Sequence, residues 1–259
     1  MSILDTIVKQ KHLEIAELSD TVGLTEIKRR AAVAPERASF YGALSKPGVS
    51  LIAELKKASP SKGVIRENFD PVLLAQEFVG AGASALSVLT DEQFFQGAPA
   101  YLEQVSNQVS CPLLRKEFII DPIQVYHAKA LGASAILLIK AILSISQAQV
   151  LMDVAAECGL DVLMEIHNQE ELDALSSLRG LSIIGVNNRN LNDFHTDTNF
   201  VLELAPKIRQ QFSNEILVVA ESGYQDVSQI EALAAARIDA VLIGEGLARY
   251  PDLQSFWAK

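Results

Sequence analysis

Apolar residues gather in eight short, continuous runs: Ser50–Leu55, Ala85–Leu89, Pro112–Leu114, Ala135–Ile139, Asp161–Met164, Ser182–Val186, Ile216–Val219 and Ala240–Ile243. They lack the alternation of a half-exposed strand and read as parallel strands covered on both faces. Between them lie stretches long enough for helices, such as Pro71–Gly80, Pro122–Leu131, Ser146–Cys158 and Val227–Ala236. The rhythm repeats itself. Gly82-Ala-Ser-Ala-Leu-Ser-Val-Leu89 resembles Gly132-Ala-Ser-Ala-Ile-Leu-Leu-Ile139, and the segments starting at Gly159 and Arg237 follow loosely. A leading glycine can end a helix in the left-handed conformation before a strand begins. Eight such units predict a closed α/β fold, the (β/α)8 TIM barrel. An open doubly wound sheet competes, but no Gly-x-Gly-x-x-Gly follows the first strand.

The first strand arrives late, so residues 1–48 form an N-terminal helical extension in this reading. Helices are expected over 4–18 and 25–45, with a break at Leu18–Gly23 and an interruption at Val33-Ala-Pro35. The extension is either a plug over one barrel end or a lid on the active site. Residues 1–259 are expected to be one domain without a linker, with no room for a fused second barrel.

Composition narrows the class. The chain has 259 residues, 49% hydrophobic and 21% charged, which excludes a disordered or fibrous protein. Its net charge of −10 argues against nonspecific nucleic-acid binding while leaving room for a small anionic substrate held by local donors. Cys111 and Cys158 cannot build a disulfide framework or a four-cysteine metal site. His12, His127, His167 and His195 show no metal-ligand spacing. The early acidic residues do not read as a signal peptide, and no run of about 20 apolar residues is present to span a membrane. A cytoplasmic enzyme is the expectation.

In a barrel the chemistry gathers at the C-terminal ends of the strands, and polar residues are dense there. The first strand ends with Glu54 and Lys56, two apart and on one face. The third ends in Arg115-Lys116-Glu117, of which either Arg115 or Lys116 points inward. The fifth ends at Glu165, after four residues that read as buried, giving a second inward carboxylate for separate proton donation and abstraction. His167 reads more as a packing or loop residue than a catalyst. The sixth strand ends in Asn187-Asn188-Arg189-Asn190, the seventh in Glu221-Ser222-Gly223 and the eighth in Gly244-Glu245-Gly246. Glycines after the last two strands let backbone amides converge on a phosphate, with the Glu245 side chain turned away. Phe94 and Phe95 follow the second strand as rivals for a wall against an apolar ring. The pattern suits acid–base rearrangement, aldol-type chemistry or dehydration of a phosphorylated small molecule. It does not select among them. A phosphoribosyl isomerase and a non-catalytic partner-binding barrel are the rival readings.

The same segments resemble the indole-3-glycerol-phosphate synthase family. The resemblance rests on Ile52-Ala-Glu-Leu-Lys-Lys-Ala-Ser-Pro-Ser61, Leu86-Ser-Val-Leu-Thr-Asp-Glu-Gln-Phe-Phe-Gln-Gly97, Pro112-Leu-Leu-Arg-Lys-Glu-Phe118, Glu165-Ile-His-Asn168, Ile184-Gly-Val-Asn-Asn-Arg-Asn190, Val219-Ala-Glu-Ser-Gly223 and Leu242-Ile-Gly-Glu-Gly246. It covers the chain from about residue 35 onward. It implies conversion of 1-(2-carboxyphenylamino)-1-deoxyribulose 5-phosphate to indole-3-glycerol phosphate, CO2 and water in tryptophan biosynthesis. It implies no cofactor, no metal and no obligatory protein partner. By the same resemblance Lys116 is the general acid at the ribulose carbonyl, while Glu165 and Glu54 serve the later steps, with Glu165 favoured as acid and Glu54 as base. Lys56 assists or neutralises substrate charge. Asn187 and Ser222 position hydroxyls, Arg189 anchors the anthranilate carboxylate region, and Phe95 walls the ring. Ser59, Gly223, Gly244, the Glu245 amide and Lys56 form the phosphate site. Three departures stand out: Glu117 and Asn190 replace common Asp, and Gly246 a frequent Ser.

Overall fold

Eight parallel strands close into a barrel in which every strand pairs with its sequence neighbours and the first pairs with the last. The computed structural model describes residues 2–60, 62–189, 195–212, 215–225 and 227–249. Ser61 and Asn190 lie outside them. The strands are Ser50–Leu55, Ala85–Leu89, Leu113–Lys116, Ala135–Ile139, Asp161–Ile166, Ile183–Asn187, Leu217–Glu221 and Ala240–Ile243, referred to below as the first to the eighth. Four of them run one or more residues past the apolar runs. The reason is pairing: Glu165 pairs with Ile139 and Gly185, and Asn187 with Glu221, so polar residues extend the ladder into the mouth. A two-stranded hairpin, Ala58–Ser59 with Gly63–Val64, follows the first strand.

Alternation along each strand separates two cores. Leu51, Ala53 and Leu55 face outward to the helix layer, together with Leu86, Val88 and Met164. Ile52, Leu114, Leu137, Leu163, Val219 and Leu242 fill the barrel interior. The crossover helices begin at caps legible in the sequence, including Asp70 and Asp121, each followed by proline, and Ser144. Gly82, Gly132 and Gly159 take positive φ (96°, 87° and 65°) where helix turns to strand. Arg237 takes the same left-handed backbone at φ 57°, so the fourth copy of the repeat keeps the geometry without the glycine.

The N-terminal extension serves both barrel ends. Helix Ile3–Thr21 presents Ile3, Leu4 and Ile7 to the cavity at the mouth. Helix Leu24–Val33 packs Ile27 and Ala31 against Ile123 and Tyr126. The short helix Phe40–Leu44 drives Phe40 and Leu44 into the barrel interior core from the other end. There Asp161 Oδ2 accepts from Tyr41 N at 2.9 Å and Ser39 Oγ at 3.1 Å. Plug and mouth wall are thus separate helices, divided at Pro35 as the sequence predicts. Among the described residues no helix is long and apolar enough to cross a membrane.

Candidate active site

One cavity of about 690 Å³ opens at the C-terminal ends of the strands. Glu54, Lys56, Ser59, Phe95, Lys116, Glu165, Asn187, Arg189, Ser222, Gly223, Gly244 and Glu245 all line it. Residues far apart in the chain meet here because a barrel brings all eight strand ends to one rim.

The third strand decides between its two cations. Lys116 enters the cavity. Arg115 points outward, donating to Gln124 O and Thr90 Oγ1 at 3.1 Å each. Lys116 Nζ sits 2.9 Å from Glu165 Oε2 and 2.8 Å from Glu221 Oε2. Burial works against its charge, but Glu165, Glu221 and Glu54 outweigh that and raise its proton affinity. The two carboxylates are not equivalent. Burial opposes the charge on Glu165, yet Lys116 and His167 overcome it and hold its pKa well below the carboxylate range. For Glu221 burial dominates, Lys116 only partly offsets it, and repulsion from Glu165 adds to it, pushing Glu221 up to about 7. Glu165 also receives Asn187 Nδ2 on Oε1 at 3.2 Å. Glu221 Oε1 is buried without a hydrogen-bond partner. Gly185 stands beside it, and any side chain there would collide with that oxygen.

At the other side Lys56 Nζ pairs with Glu54 Oε2 at 2.5 Å. Gly244 lies against this pair, so closely that a Cβ would strike the Glu54 carboxylate. Ser222 and Gly223 both adopt positive φ (67° and 95°), turning the chain sharply at the cavity wall. A non-glycine residue in that region costs on the order of 1 kcal/mol. Arg189 Nη2 approaches Glu245 Oε1 at 3.6 Å, so that carboxylate is directed toward a cation. A side chain at Gly246 would meet the Tyr224 carbonyl. Of the two aromatic rivals, Phe95 lines the cavity and Phe94 does not. The Phe95 ring centroid lies 6.0 Å from that of Phe118.

Sequence reasoning missed three participants. Glu221 follows four buried apolar residues, where Glu165 follows three after the half-buried Asp161, and the same argument applied to the seventh strand identifies it. Lys11 and Asp91 are the others. Lys11 Nζ reaches Asp91 Oδ2 at 2.7 Å and Glu117 Oε1 at 2.9 Å, and Asp91 Oδ1 accepts from Phe94 N and Phe95 N at 2.7 and 3.1 Å. The first helix therefore braces the loop that carries Phe95. The Asp-to-Glu departure at 117 lies inside this network, where Glu117 Oε2 also accepts from Thr90 Oγ1 at 2.7 Å.

Fold and site together define a (β/α)8-barrel enzyme with ionisable side chains gathered at the strand ends. The family model described as indole-3-glycerol phosphate synthase matches residues 4–259. The chain belongs to that family, and so is a carboxy-lyase of tryptophan biosynthesis that closes the indole ring. It is 45% identical to an indole-3-glycerol phosphate synthase of Chlorobium chlorochromatii over 258 residues, covering 98% of each chain. It is 47% identical to the one from Desulfotalea psychrophila over 249 residues, covering 95% of this chain and 94% of the relative. A chain from the solved tryptophan synthase a2b2 complex of Pyrococcus furiosus matches with a TM-score of 0.55 at 15% identity, covering 77% of this chain and 88% of that one, a likeness of fold alone.

Proposed function

We propose that Lys116 is the proton donor at the ribulose carbonyl of 1-(2-carboxyphenylamino)-1-deoxyribulose 5-phosphate, and that the two carboxylates flanking it divide the remaining proton transfers. The supporting observation is the unequal ionisation of Glu165 and Glu221 on one ammonium group. Two acids pushed apart by their surroundings are suited to opposite roles.

The substrate ring carbon attacks the ketone carbon. The carbonyl π electrons move to oxygen, which takes a proton from Lys116 and becomes a hydroxyl. The ring carboxylate then leaves as CO2, and its bonding pair restores aromaticity. The hydroxyl departs as water once protonated, and loss of a ring proton completes the indole. Glu221, protonated near neutral pH, is the acid for the departing hydroxyl. Glu165, held ionised, is the base for the ring proton. This assignment moves the acid role expected for Glu165 to its neighbour and the base role from Glu54 to Glu165. Glu54 then serves to hold Lys56, whose ammonium faces the corner formed by Ser59, Gly223, Gly244 and the Glu245 amide. That corner takes the phosphate, whose binding orients the reacting end. Asn187 and Ser222 position hydroxyls, Arg189 attracts the anthranilate carboxylate, and Phe95 walls the ring. No protein partner or cofactor enters this reading.

The test is product formation from this substrate by the purified chain and by Glu165→Gln and Glu221→Gln. Each variant is expected to lose activity on the order of 10²-fold or more. Full activity in Glu221→Gln would remove it from the acid role.

A further inference from the structure

Glu165 is gripped at both oxygens: Lys116 holds Oε2, while Oε1 takes Asn187 Nδ2 and lies beside a second cation outside the cavity lining. The second cation is His167, two residues further along the chain and just past the fifth strand. Its Nε2 lies 3.1 Å from Glu165 Oε1, and the imidazole side chain is only 8% exposed. Its Nδ1 lies 3.5 Å from Glu171 Oε2. Glu171 in turn is fixed by its own turn: Oε2 accepts from His167 N at 2.8 Å, Oε1 accepts from Asn168 Nδ2 at 3.3 Å, and Asn168 Oδ1 caps Glu171 N at 2.8 Å. The result is a carboxylate, an imidazole and a second carboxylate in a row.

A neutral imidazole carries one N–H and one bare nitrogen. Between two carboxylates the bare nitrogen would set lone pair against lone pair. Both nitrogens lie near carboxylate oxygens here, which favours the doubly protonated, cationic ring. Neither nitrogen makes an aligned hydrogen bond, which leaves charge attraction as the substance of the contact. Other charges around the row are few. Glu165 meets Lys116 from the third strand and feels Glu221 from the seventh. Beyond Glu171 an open groove is lined by Asp5, Lys9 and His12 of the first helix and by Lys140. Burial opposes charge on the ring, but Glu165 and Glu171 outweigh it and push His167 up to about 9.

We propose that His167 is a positioning residue that keeps Glu165 ionised and aimed at the cavity, and that Glu171 holds His167 in place for that task. The inference rests on the reading of Glu165 as the base. His167 does not touch the substrate cavity. It acts through the carboxylate, as a positive charge beside the oxygen that Lys116 does not hold. A single lysine shared with Glu221 would leave Glu165 less firmly ionised, and the two carboxylates closer to exchanging roles.

The experiment is the pH profile of kcat/KM for the parent, His167→Asn, Glu171→Gln and Glu165→Gln. Loss of the cationic ring raises the Glu165 pKa, so the acidic limb moves to higher pH. We expect His167→Asn to shift that limb upward by about one pH unit, which is a tenfold loss at a pH on the limb. Glu171→Gln is expected to shift it in the same direction by less. A merely structural role lowers the plateau or the melting temperature and leaves the limb in place. Glu165→Gln separates the two levels: full activity there overturns the base assignment itself. An inactive Glu165→Gln beside an unmoved limb in His167→Asn overturns this proposal alone. Should His167→Asn fail to fold, an unmoved limb in Glu171→Gln overturns it. Ring nitrogen chemical shifts of the parent give a check without substitution, since a His167 neutral at pH 7.5 ends the proposal.

Discussion

Two buried lysines in this molecule share one arrangement and differ in what surrounds it. Lys11, on the first helix, sits between Asp91 and Glu117, with Glu14 at 2.7 Å as a third partner. Lys116, on the third strand, sits between Glu165 and Glu221. Both side chains hold their protons firmly against the cost of burial. Lys11 is 1% exposed and its carboxylates are occupied by Thr90 and by backbone amides, so the cluster is a closed fastening. Lys116 is 15% exposed, and one Glu221 oxygen has no hydrogen-bond partner. Charge pairs shut away from solvent anchor a helix, although Asp91 Oδ2, like one Glu221 oxygen, makes no aligned hydrogen bond. The same pairs opened to a cavity are placed to exchange protons with a substrate, the role proposed for Lys116 and its neighbours.

The comparison breaks most visibly at the two lysines. Lys116→Met is expected to lower kcat on the order of 10²- to 10⁴-fold. Its melting temperature should change little, because Glu221 already titrates near neutrality and can take a proton. A variant that keeps normal turnover would end the parallel. Lys11→Met should do the reverse. Removing one partner from a buried cluster costs about 3–5 kcal/mol of stability, read by denaturant unfolding, while turnover of the folded fraction should fall far less than in Lys116→Met. Loss below 1 kcal/mol would show that the fastening is not where the extension is held.

A finer cut uses pH. Glu221 is raised to about 7 from an ordinary 4.5, so its contribution is full below about pH 4.5 and lost as pH rises through 7. His167 is raised to about 9 from 6.5, so its contribution is full below about pH 6.5 and lost as pH rises through 9. Both run the same way, but His127, pushed down to about 3 by burial, runs oppositely and offsets Glu221 below about pH 6.5, so unfolding free energy should fall mainly between pH 6.5 and 9. Glu165 runs oppositely, its contribution present above about pH 4.5 and lost in acid. In Glu221→Gln the slope of unfolding free energy against pH between 5 and 7 should become more positive than in the parent. An unchanged slope there would mean that Glu221 does not titrate in that window.

The smallest effect concerns the repeat. Gly159 has φ 65° with open space around it, so Gly159→Ala meets backbone strain and nothing else. About 1 kcal/mol of destabilisation is expected. Arg237 already bears that strain at φ 57°, and Arg237→Gly should alter stability by less than about 1 kcal/mol. A larger loss would mean that the Arg237 side chain stabilises the fold by more than the backbone strain it carries.

Much of this was legible in advance, and the exceptions share a cause. The eight strands, the break at Pro35 and the division of the extension follow from local signals: apolar runs, caps and prolines. The cavity residues follow from their place at strand ends. Arg115 and Lys116 could not be separated because the register that sends one inward depends on pairing with Val88 and Leu89 of the neighbouring strand. Lys11 carried no signal, since a lysine on a helix is ordinarily solvated and its two partners lie far along the chain. His167 looked like a loop residue because the acid that matters to it, Glu171, is significant only once the turn has folded.

The amino-acid pattern alone therefore determined the barrel, its helical extension and the family, because burial and capping act over a few residues and leave periodic marks. Only the tertiary structure decided which carboxylates flank Lys116, and which of the two keeps its proton. Those outcomes arise from charges on the third, fifth and seventh strands meeting in a poorly solvated space. There a few ångströms decide whether desolvation or attraction prevails.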